Sequence, residues 1–118
     1  MAVQPGAGKW LAKGVHQITW AVMANGDTGT NANDPQLPNH EVGVQGTFGA
    51  GGTIIFEGSF DGGATYFGLK DWQGNAISFT AAGVKTIVDN PPLIRPRVTA
   101  GDGTTAINAY MVNQDSLP

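Results

Sequence analysis

Glu57-Gly58-Ser59-Phe60-Asp61-Gly62-Gly63-Ala64-Thr65-Tyr66 stands between two apolar, β-rich runs, Thr53 to Phe56 and Tyr66 to Leu69. Two glycines after an aspartate supply the positive φ angles of a tight reversal, and the Asp61 carboxylate accepts hydrogen bonds from nearby backbone N–H groups. The stretch predicts a β-hairpin held by its own polar side chains, with Ser59, Asp61, Gly62, Gly63 and Thr65 as the structural turn.

Outward from this hairpin the chain keeps the same grammar. Val15 to Ala24 alternates, with Ile18, Trp20 and Val22 on one face and Gln17 and Thr19 on the other. Asn25 to Pro35 is a long polar loop, extended by Pro38. Glu41 to Phe48 alternates again, placing Val42, Val44 and Phe48 together, and Gly49 to Gly52 is a turn. Asp71-Trp72-Gln73-Gly74-Asn75 is a second turn cluster, followed by a short strand at Ile77 to Thr80. In Ala81 to Asn90, the one place a helical turn might be sought, the alternation of Val84, Thr86 and Val88 favours strand. Leu93 to Thr99 puts Ile94, Pro96 and Val98 on one face and Arg95, Arg97 and Thr99 on the other. Pro96 has no N–H for a ladder, which predicts a sheet edge or a bulge. Thr105 to Val112 is the last strand. About eight short strands at regular spacing predict an all-β, antiparallel, jelly-roll-like β-sandwich.

The 118 residues suit one domain, residues 15–113, preceded by an extended N-terminal arm, residues 1–14, and followed by a short C-terminal tail, residues 114–118. The arm is punctuated by glycine and proline and carries Trp10 and Leu11 among small residues; it is read as lying outside the core. With 13% charged residues, 18 glycines and 41% hydrophobic residues, the chain reads as a turn-rich folded domain. A formal net charge of −3 offers no basic footprint for nucleic acid or an anionic membrane, and no run reaches transmembrane length. No export signal is legible, so synthesis in the host cytoplasm is expected. The absence of cysteine removes disulfides, thiolate zinc sites and thiol catalysis.

Candidate chemistry is sparse. Ser59 to Tyr66 resembles the Asp-box of sialidases and related propellers, a structural hairpin remote from their catalytic centre, with Tyr66 in place of tryptophan. It occurs once here, which supports the hairpin and not a glycosidase. Asp27, Asn31, Asn33 and Asp34 are oxygen donors that calcium favours, but the loop lacks a terminal bidentate glutamate and reads as solvated turn residues. His16 and His40 have no metal-ligand spacing and read as surface or interface residues. Asp61, Asp71, Asp89 and Asp102 all fall in turns, and no nucleophile elbow, phosphate loop or Ser/His/Asp cluster appears. The expectation is no enzyme, no cofactor and no metal.

Two features point to partners. Arg95 and Arg97 share one strand face, either pairing internally with an acid such as Glu57 or meeting an acidic partner. Trp10 and Trp72 lie outside the alternating core pattern, either capping the core edges or anchoring a protein contact. Trp10, Leu11, Trp72, Arg95 and Arg97 are therefore the candidate partner-binding residues.

The combination Glu57-Gly58-Ser59-x-Asp61-Gly62-Gly63-x-Thr65, then Gln73 to Gly83, then Asn90-Pro91 and Ile94 to Thr105 resembles small structural proteins encoded beside the capsid genes of tailed bacteriophages. Asn25 to Gly29 and Val44 to Gly49 extend the likeness. The nearest analogy is to head decoration, or cement, proteins. It implies a virion component on the capsid surface that bridges and stabilises major capsid protein subunits, and no residue-level binding motif carries over. A homo-oligomer, with a dimer favoured, suits capsid symmetry. The alternatives are another virion module (tail, collar or fibre-associated) or a carbohydrate-binding sandwich using Trp72 and Tyr66.

Overall fold

The computed structural model describes residues 3–32, 37 and 39–114. Eleven strands occur among them: β1 (Val3–Gln4), β2 (Gly6–Ala12), β3 (Val15–Met23), β4 (Thr28–Gly29), β5 (Asn39–Thr47), β6 (Thr53–Ser59), β7 (Phe67–Gly68), β8 (Ser78–Phe79), β9 (Gly83–Ile87), β10 (Leu93–Ala100) and β11 (Ala106–Gln114). No helix is present among the described residues.

The strands form two sheets packed as a sandwich. The first runs β1-β4-β10-β6-β7, with β8 sharing the outer side of β6 with β7; the second runs β2-β3-β11-β5-β9. Every pairing is antiparallel except β1 with β4. From β4 onward the chain passes back and forth between the sheets, β5, β9 and β11 entering the second and β6, β10 the first. The all-β, jelly-roll-like sandwich expected from the alternation is thus the fold.

Period-two patterning builds the core. In β11 Ile107, Ala109, Met111 and Asn113 face inward, and Ile94, Pro96 and Val98 do so in β10. Trp20, Phe56 and Phe79 pack edge-on in series, at ring separations of 6.3 and 6.4 Å. The buried Trp20 indole Nε1 donates to the carbonyl of Thr30 at 3.0 Å, so its one polar atom is satisfied.

Three expectations are corrected. The described part of the N-terminal arm is strand: β2 pairs with β3 from Gly6↔Trp20 to Ala12↔Val15. The glycines that argued against a strand are what permit it. A Cβ on Gly6 would sit 2.8 Å from Trp20 Nε1, and one on Gly8 2.8 Å from His16 Nε2. Every residue of β2 is nonetheless exposed. Val22 does not join Ile18 and Trp20 in the core. A bulge between Ile107 and Ala109 in the β3–β11 register turns it outward at φ 52°, and Met23 takes the inward place.

The expectation that the Pro96 strand lies at an edge or carries a bulge is met by the bulge, a register shift between Val98 and Ala100, while β10 itself lies between β4 and β6. The partner of Pro96, Phe56, directs its own N–H and C=O to Ile77 and Leu69, away from β10. Pro96 therefore faces its missing donor toward β4, in the gap between the Ile94 N–H to Ala32 and Val98 N–H to Asp27 hydrogen bonds. His40 is not a surface residue: it is 1% exposed, and its Nε2 lies 2.9 Å from Asn90 Oδ1. The expected tail begins at Gln114, which closes β11, and its other residues lie outside the described ones.

Candidate functional site

The hairpin from β6 to β7 forms as the Asp-Gly-Gly turn requires. Ser59 is fully buried; its hydroxyl donates to Asp61 Oδ1 at 2.8 Å and accepts from the Gly63 N–H at 2.9 Å. Asp61 Oδ1 also accepts from the N–H groups of Ala64 and Thr65, at 3.1 and 2.8 Å, while Gly62 and Gly63 take φ of 78° and 99°. Hydrogen bonding to the ionised form, led by the Thr65 N–H and then the Ser59 hydroxyl, lowers the Asp61 pKa to about 2. A carboxylate held ionised by turn amides is a structural element and a poor proton donor at neutral pH.

Asp102 does the same work at the other end of the sandwich. It accepts from the Ala50 N–H at 2.9 Å and from the Thr104 N–H and hydroxyl at 2.8 and 2.6 Å, tying two turns together. Those bonds, the Ala50 N–H first, lower its pKa to about 2. Asp27, in the loop with calcium-type donors, is buried; its carboxylate accepts from the Ala24 N–H and from Gln4 Nε2. Asn33 and Asp34 lie outside the described residues. No cluster of three His, Cys, Asp or Glu side chains suited to a metal occurs among the described residues.

Arg95 and Arg97 are engaged within the molecule. Arg95 Nε is 2.7 Å and Arg97 Nε 3.1 Å from the two carboxylate oxygens of Glu57, whose side chain is 5% exposed. The Arg95 guanidinium also stacks on the Tyr66 ring at 3.6 Å, and the Tyr66 hydroxyl donates to Asn31 Oδ1 at 2.9 Å. This cluster covers the outer face of the first sheet beside the hairpin. It also uses up Tyr66, one of the two aromatics of the carbohydrate alternative.

Trp10 and Leu11 are 60% and 51% exposed on β2, and Trp72 is 64% exposed in the turn after β7. Trp10 lies against His16, ring centroids 4.7 Å apart. The structure does not bring the tryptophans together. β1 and β2 form one lateral edge of the sandwich; β7 and β9, linked by the Val88 N–H to Lys70 bond, form the other.

Sequence reasoning missed a pair at that second edge. Phe60 and Phe67 are 64% and 57% exposed with ring centroids 6.5 Å apart. The signal was present: Phe60 sits inside the polar turn, where no core position exists.

No protein-family model and no curated protein matches the chain. Among solved structures, the cysteine peptidase Peruvianin-I from Thevetia peruviana latex aligns over 86% of this chain and 50% of its own, at 14% identity and a TM-score of 0.39. The chain thus spans about half the length of that protein. Likeness at this level supports no statement about activity.

Proposed function

We propose that the chain is a decoration protein of a tailed-bacteriophage head, seated on the outside of the shell and bridging neighbouring major capsid subunits. One observation carries the reading: the two opposite lateral edges of a rigid sandwich both end in exposed aromatic side chains, Trp10 with Leu11 on one and Phe60, Phe67 and Trp72 on the other. A bridging protein needs two contact surfaces facing apart, and aromatic anchors inside a polar rim are typical of such contacts. Weak contacts suffice, because neighbouring copies on a symmetric lattice reinforce one another. Among the described residues no strand pairs with the outer side of the seven-residue β2, and such an edge invites pairing with another polypeptide.

On this reading the arginines belong to the scaffold and leave the partner-binding set, while Phe60 and Phe67 join it. A two-fold dimer remains the oligomer we favour, and the protein transforms no substrate. Mass spectrometry and antibody labelling of purified phage particles test the assignment. The protein should appear on the head in copy numbers comparable with the major capsid protein. Absence from particles, or a few copies on the tail, overturns it.

A further inference from the structure

The outer face of the second sheet carries an open groove of about 390 Å³ lined by Gln17, Gly43, Gln45, Gly83, Val84 and Tyr110. That volume falls at the lower end of the range for ligand clefts, about 300–1,000 Å³. Gly43 is the informative residue. It lies in the middle of β5, outside the glycines with positive φ. A Cβ there would meet only Val84 Cγ2 at 3.5 Å and the Gly83 carbonyl oxygen at 3.6 Å, both ordinary contacts. Neither backbone conformation nor packing demands glycine at this position. Glycine inside a strand weakens it and often marks a bulge, a bend or a place where a ligand approaches closely, and the register on both sides of Gly43 runs without a shift. What the missing side chain creates here is the floor of the groove.

The lining defines the ligand class. No charged side chain contributes to it. Lys85, beside Val84 on β9, turns away and lies over the Phe79 ring at 5.5 Å. Phosphates, carboxylates and ammonium groups therefore find no counter-charge. The amides of Gln17 and Gln45 each offer donors and an acceptor. The Tyr110 hydroxyl accepts from Gln45 Nε2 at 3.0 Å and keeps its own proton to donate. Val84, 65% exposed, forms an apolar wall. Hydroxyls that both donate and accept, set around a C–H-bearing ring face, complement this mixture. An extended peptide would instead seek unpaired strand backbone, but β5 and β11 are paired on both sides.

We propose that the groove over Gly43 is a binding site for a neutral oligosaccharide. The inference stands independently of the capsid reading. It is tested by amide NMR of the full chain titrated with the hexasaccharides of cellulose, xylan, starch, mannan and chitin. At least one should give saturable shifts at Gly43, Val84 and Tyr110 and at the side-chain amide of Gln45. Gly43→Val, which fills the floor with a better strand former, should weaken that binding by about tenfold or more while leaving the melting temperature unchanged or higher. Should that variant fail to fold, Gln17→Ala serves as the second probe and should also weaken binding. Titrations in which none of the five sugars shifts these residues overturn the proposal. So do shifts centred on Trp72, or unaltered binding by Gly43→Val, or by Gln17→Ala where that probe is needed.

Discussion

A methyl group placed on Gly29 would lie 2.7 Å from both Cδ and Cγ of Pro96. The indole of Trp20 presses from another side at the same 2.7 Å. Gly29 thus lets β4 close against the one residue of β10 that has no N–H to offer it. Gly29→Ala forces two rigid rings apart and should cost about 1–3 kcal/mol by overpacking, read as a lower denaturant midpoint. An unchanged midpoint would show that this contact is slack.

Glu57 pairs one carboxylate oxygen with each of two arginines from a position almost closed to water. Glu57→Ala leaves both guanidiniums without their acceptor, and partial exposure of Arg95 and Arg97 moderates the loss to about 2 kcal/mol. Arg97→Ala, at the more exposed partner, should cost less than Arg95→Ala, which also loses the Tyr66 stack. Urea unfolding of the three variants checks the order.

His40 gives the fold a pH dependence near neutrality. Burial lowers its pKa from 6.5, and the hydrogen bonds with Asn90 and Asn113 offset only part of that. The unfolded chain then binds the proton more readily than the folded one. This stability contribution is complete above pH 6.5 and is lost as pH falls through the lower folded value. Melting temperature should decline across that window, and His40→Gln should flatten the decline.

Asp61 and Asp102 set a second, more acidic limb. Both titrate at about 2 in the fold against 3.8 otherwise, so their contribution is present above 3.8 and disappears as pH falls toward 2. The double variant Asp61→Asn with Asp102→Asn should be less stable at pH 7 and show a shallower loss between pH 4 and pH 2. Circular dichroism melts across that range decide it.

The exposed edges should separate binding from folding. Trp10→Ser and the pair Phe60→Ser with Phe67→Ser remove side chains that are more than half exposed, so melting should shift little. On the proposed decoration role, attachment to phage heads should drop for each, since a bridge fails when either end lets go. Loss at one edge alone would mean a single contact surface.

Local patterns made much of this molecule legible. Asp61-Gly62-Gly63 foretold its turn because φ > 0 and amide capping are properties of a few adjacent residues. The inward row Ile94-Pro96-Val98 followed from alternation alone. The candidate site was legible only in part. Trp10, Leu11 and Trp72 stood out as aromatics or aliphatics without a core position, but the same logic applied to Phe60 was passed over. Nothing in Glu41 to Thr47 distinguished Gly43 from a glycine required by its backbone.

The amino-acid order by itself determined the all-β class, the hairpin and the identity of most core rows, because those depend on period-two spacing and turn chemistry within a few residues. Tertiary structure alone decided that Gly6–Ala12 pairs as a strand, that Val22 turns outward at a bulge, that His40 is buried, and that Arg95 and Arg97 converge on Glu57. Each of those outcomes depends on which distant strand lies alongside and in what register. Such a choice is settled by packing two sheets together and has no counterpart in the spacing of neighbours along the chain.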